Sequence, residues 1–101
     1  LKRLATQGYD QLHFELPVQE IRPDGSQTNA IIDCLAEGPD GFVILDHKSG
    51  PCPDPDAGFH NHMPQLQSYA RLMAHAQPDK PVRGLAINWI DEGKLSFCLV
   101  E

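Results

Sequence analysis

The chain has 101 residues, 41% of them hydrophobic and 22% charged. This composition supports one modest core and is not that of a disordered segment. Fourteen acids against eight bases leave a formal net charge of −6, which argues against a module that holds nucleic acid by bulk attraction alone. It leaves room for an enzyme that reaches phosphate through a metal held by carboxylates.

Residues 1–8 read as the tail of a helix. Leu1-Lys2-Arg3-Leu4 is followed by no apolar stretch of the signal-peptide kind, and the chain does not begin with Met. A piece of a longer protein, lacking its amino-terminal helices, is therefore expected. Gln11 to Arg22 alternates, with Leu12, Phe14, Leu16 and Val18 on one face and His13, Glu15 and Gln19 on the other. Period two is the signature of a half-buried strand. Pro23-Asp24-Gly25-Ser26 is a turn by composition.

A second strand is expected from Asn29 to Glu37, a turn at Gly38-Pro39-Asp40-Gly41, and a third strand from Phe42 to Lys48. The third is apolar on both faces until its last residues, which predicts a central place in the sheet. Residues 49–60, with their prolines, glycines and aspartates, read as an irregular loop. Asn61 to His75 has helical spacing, with Met63, Leu66, Ala70 and Met73 on one face, Asn61 as N-cap and Pro78 as the stop. Val82 to Ile90 and Lys94 to Val100 read as two more strands around the turn Asp91-Glu92-Gly93. The order is (α)βββαββ, an α/β or α+β single domain over residues 1–101 with a mixed five-stranded sheet and a covering helix.

The chemistry gathers at the end of the third strand. Asp46 and Lys48 are two residues apart and project from one side. An antiparallel second strand, about 4.8 Å away, brings Asp33 beside Asp46. Two acids and one lysine leave a negative excess, and a hard divalent cation such as Mg²⁺ is the usual remedy. Such a cation polarises a scissile phosphate and lowers the pKa of a bound water, while a lysine offsets charge on the phosphoryl oxygens.

Glu15, Asp33, Asp46-x-Lys48 and Gln65-x-x-x-Tyr69, in that order and in those strand contexts, resemble the PD-(D/E)xK nuclease superfamily. Ile31-Ile32-Asp33, Ile44-Leu45-Asp46-His47-Lys48-Ser49-Gly50 and Gln65-Leu66-Gln67-Ser68-Tyr69-Ala70 are similar to the pattern of the RecB-like nuclease domain of AddA- and RecB-type helicase–nucleases. The resemblance spans about residues 12–100. It implies a restriction-endonuclease-like core and a Mg²⁺- or Mn²⁺-dependent DNA exonuclease acting in double-strand break repair and recombination. It implies Asp33, Asp46 and the backbone carbonyl of His47 as metal ligands, Lys48 and Glu15 as catalytic residues, and Gln65 and Tyr69 as DNA-positioning residues. It further implies DNA as partner, with a helicase region of the same polypeptide and a partner subunit, in the bacterial cytoplasm at the nucleoid. No G-x-x-x-x-G-K loop occurs, so ATP belongs to the parent helicase outside these residues. The alternative is an inactive nuclease-fold module for DNA positioning or protein docking.

The remaining polar residues read as structural. His13, His60, His62 and His75 are expected at the surface, and no membrane-spanning run occurs. Cys34, Cys52 and Cys98 cannot all pair and match no zinc or iron–sulfur spacing, which suits a reducing compartment.

Overall fold

The computed structural model describes residues 8–51 and 53–100. The elements are β1 (Gln11–Ile21), β2 (Gln27–Gly38), β3 (Gly41–Lys48), α1 (Pro55–Ala76), β4 (Val82–Trp89), a 3₁₀ turn (Ile90–Glu92) and β5 (Lys94–Leu99). They form one mixed sheet in the order β1-β2-β3-β4-β5. β3 and β4 are parallel, and every other neighbouring pair is antiparallel. The fold is α+β, with α1 crossing from β3 to β4 over one face. The central place expected of β3 is the one it occupies.

The expected helix tail at the amino terminus lies outside the described residues, apart from Gly8 in a turn. Among the described residues no helix is long and apolar enough to cross a membrane.

Alternation along β3 defines the two faces. Phe42 and Ile44 join the cluster that contains Leu66, Leu72 and Met73 of α1, together with Leu85, Ile87 and Trp89 of β4. Val43 and Leu45 join a smaller cluster on the opposite face with Cys34, Ala36 and Ala86. Burying these large aliphatic side chains contributes about 1.5–3 kcal/mol each.

Two expectations need correction. The helix begins at Pro55, six residues before Asn61. The carboxylate of Asp54 accepts the Ala57 N–H at 3.2 Å, and Pro55 stands at the first helical position, where its missing N–H is no loss. The prolines read as loop markers thus mark a helix start. Pro64 is then interior, so the helix forgoes one i→i−4 bond there and relies on its buried face.

The second correction concerns β1. Leu12 packs with the far cluster, whereas Leu16 and Val18 pack with the α1 cluster. Phe14, paired with Cys34, is 60% exposed. The four residues therefore do not share a face. β2 makes the same switch, with Ile32 and Leu35 on the α1 side and Cys34 and Ala36 on the other. Between the flanking pairs Phe14–Cys34 and Leu16–Ile32 stands Glu15, with φ of +50°. This left-handed backbone breaks the period-two alternation.

Candidate metal site at the end of the central strand

Ladder pairing between β2 and β3 ends at Cys34–Leu45. One step further along the same register stand Asp33 and Asp46. Instead of another backbone bond, Oδ2 of Asp33 accepts the N–H of His47 at 3.1 Å. In an extended strand the N–H and C=O of one residue share an edge. The His47 carbonyl therefore points to the side from which β2 has departed.

Asp46 is 4% exposed, the one buried charged residue among the described residues. Its Oδ2 lies 2.8 Å from Lys48 Nζ, an ion pair at an angle poor for a hydrogen bond. The oxygen is paired by charge and has no donor directed at it. Its carboxyl is also within hydrogen-bonding contact of Asp33. Burial foremost, then this contact, pushes Asp46 above the usual carboxylate range. Asp33 moves the other way. Burial opposes its ionisation, but the hydrogen bonds with Asp46 and the His47 amide, with the charges of His47 and Lys48, together hold it low. The two carboxyls are thus pushed in opposite directions, Asp33 toward easier ionisation and Asp46 toward costlier ionisation.

α1 supplies the next layer. Gln65 and Tyr69 are one turn apart, and Gln65 Nε2 donates to the Tyr69 hydroxyl at 2.9 Å. Burial raises the Tyr69 pKa first, and the Asp46 and Asp33 carboxylates raise it further. The hydroxyl is therefore within electrostatic range of the acids. Of the expected site residues, Asp33, Asp46 and Lys48 come together, and Tyr69, bonded to Gln65, lies within electrostatic range of the two acids. Glu15 stands opposite Asp33 on β1, is exposed, and makes no hydrogen bond or ion pair among the described residues.

Two contacts carry no local sequence signal, because their partners are 41 residues apart. Asp91 Oδ2 accepts the Gly50 N–H at 2.5 Å, which ties down the loop that follows Lys48. Asn88 Nδ2 lies 3.2 Å from His47 Nδ1, holding that ring on the face away from α1.

Other polar residues fall elsewhere. His62 stacks at a tilt on Trp89, with ring centroids 6.2 Å apart, and His60 and His75 are exposed. His13 is not simply solvent-facing, since its Nε2 lies 2.9 Å from Glu37 Oε1. Cys34 is buried and Cys98 half-buried, both as free thiols, while Cys52 lies outside the described residues. Among the described residues no three His, Cys, Asp or Glu side chains gather as a metal-ligating group. Any cation at this site therefore draws on two carboxylates, backbone oxygen and water. Comparison with models of known protein families and with curated proteins finds no match to this chain.

Proposed function

We propose that the chain is a metal-dependent DNA nuclease domain with a restriction-endonuclease-like core. The observation that carries this reading is Asp46 Oδ2, a buried carboxylate oxygen with no hydrogen-bond donor, beside a second carboxyl and one lysine. A buried charge of this kind is stable only with a compensating partner. Two carboxylates and the His47 carbonyl suit Mg²⁺ or Mn²⁺, hard cations that take a few protein oxygens and keep several waters. When bound, the cation supplies a polarised phosphate oxygen and a water of lowered pKa.

The protein's own residues do the rest. Asp33 and Asp46 are the ligands, Asp46 buried at the strand end and Asp33 half-buried beside it. Lys48, with its Nζ held against Asp46, offsets charge that develops on the phosphoryl oxygens. Gln65 and Tyr69, hydrogen-bonded to each other on α1, position the DNA strand. The chain's net negative charge makes DNA binding depend on the cation and on contacts outside these residues. Those contacts belong to a helicase–nuclease in which ATP drives a separate region, in the service of double-strand break repair and recombination at the bacterial nucleoid. The absence of a third ligating side chain among the described residues favours one second reading, an inactive nuclease-fold module that positions DNA or docks a protein.

Calorimetric titration with Mn²⁺ separates the two. The nuclease reading expects binding by the wild-type chain, loss of it in Asp46→Asn, and Mn²⁺-dependent cleavage of linear DNA. Equal titration curves for the wild type and Asp46→Asn, with no cleavage by either, would sink it.

A further inference from the structure

We infer that Glu15 positions Asp33 through its backbone, and that its left-handed conformation is what brings a core residue and a metal ligand, adjacent in sequence, to the same side of β2. This rests on the metal-site reading of Asp33 and Asp46.

Ile32 and Asp33 are consecutive, and a regular strand sends consecutive side chains to opposite faces. Yet Ile32 is fully buried against the α1 cluster, and Asp33 meets Asp46, which shares its face with Ile44 in that same cluster. The switch of faces reconciles the two placements. From Cys34 onward β2 is anchored by its ladder to β3, with Leu35 facing α1. On the hairpin side, Ala30, Ile32, Leu16 and Val18 face α1 as well. Between these halves the chain needs one residue out of alternation. Glu15, with φ of +50°, is the only non-glycine residue with positive φ among the described residues, and it stands opposite Asp33.

Without the switch, a regular hairpin has two options. It keeps Ile32, Leu16 and Val18 in the core and turns Asp33 away from Asp46, or it keeps Asp33 and exposes the apolar residues. In either case the Asp33 carboxylate no longer coexists with a packed hairpin. The Glu15 carboxylate makes no hydrogen bond or ion pair among the described residues, so it is the backbone of Glu15 that acts on Asp33. Glycine adopts this conformation without strain, whereas a β-branched residue is strongly disfavoured there.

The test compares Glu15→Gly, Glu15→Gln and Glu15→Val by three readouts on the whole chain. These are hydrogen exchange of the His47 amide, whose acceptor is Asp33, Mn²⁺ affinity, and the thermal midpoint. Glu15→Gly and Glu15→Gln are expected to keep His47 protected and Mn²⁺ affinity within about twofold, and the glycine variant to melt no lower than wild type. Glu15→Val is expected to speed His47 exchange and weaken Mn²⁺ binding by about tenfold or more. The inference is overturned if Glu15→Val behaves as wild type. It is equally overturned if Glu15→Gln and Glu15→Gly lose Mn²⁺ as Glu15→Val does, which makes the carboxylate the working group. If Glu15→Val does not fold, the glycine variant decides: a lower melting point or an unprotected His47 amide overturns the inference. A wild-type chain that binds no Mn²⁺ removes the metal-site reading, and His47 exchange still judges the backbone role.

Discussion

Charged residues cluster at both ends of the central strand on the α1 side, and the two clusters are built on opposite principles. Near the start of β3, Glu37 is served twice, by Lys80 Nζ at 2.5 Å on Oε2 and by His13 Nε2 at 2.9 Å on Oε1. Lys80 also lies over the Phe42 ring, 5.2 Å from its centroid. Lys80 first, then His13, holds the Glu37 carboxyl below its ordinary range. At the far end of β3 the proportions are reversed. Two acids share one lysine, and one buried carboxylate oxygen receives no hydrogen bond. A satisfied cluster ties strand ends together, whereas the unsatisfied one is where the proposed cation site lies.

The largest effect is expected from Lys48→Met, which removes the cation paired with Asp46. Cleavage of linear DNA is expected to fall by about 100-fold or more, measured against retained Mn²⁺ binding. Loss of both together makes Lys48 part of the ligand framework instead.

Asp46→Asn and Glu37→Ala are expected to move stability in opposite directions. The asparagine relieves a buried charge and is expected to raise the unfolding free energy by about 1 kcal/mol, as at sites that trade stability for function. Glu37→Ala is expected to lower it by about 1 kcal/mol, a modest loss because the cluster is partly exposed. Urea unfolding of both variants without metal measures the pair, and a fall in both erases the distinction between the two ends.

The smallest effect is in the pH dependence. Glu37 has an ordinary value of 4.5 and is lowered in the folded chain. Its stabilisation is therefore complete above pH 4.5 and is lost as the pH falls through the lowered value. The stability difference between the wild type and Glu37→Gln is expected to shrink as the pH drops below 4.5. A difference that grows in acid contradicts the arrangement described for Lys80 and His13.

Legibility differed from element to element for physical reasons. β3 was readable because a continuous apolar run bounded by turn residues has few other homes, and the register of Asp33 with Asp46 followed from the short turn joining β2 to β3. The start of α1 was hidden because Asp54-Pro55 signals a turn as readily as a helix cap, and capping is settled only by where the next residues go. The face switch in β1 was hidden because Leu12, Phe14, Leu16 and Val18 alternate without a break, and nothing in Glu15 announces a left-handed backbone. The pairing of His13 is hidden in the sequence because its partner Glu37 lies across the strand pair.

Periodicity and turn chemistry in the sequence alone determined the strand and helix order, the central strand and the pairing of two acids with a lysine, since these depend on neighbours within a few residues. The tertiary structure decided which acid is harder to ionise, which oxygen goes without a hydrogen bond, and how adjacent residues Ile32 and Asp33 reach one face. Those outcomes depend on burial and on contacts between distant segments, which no local pattern encodes.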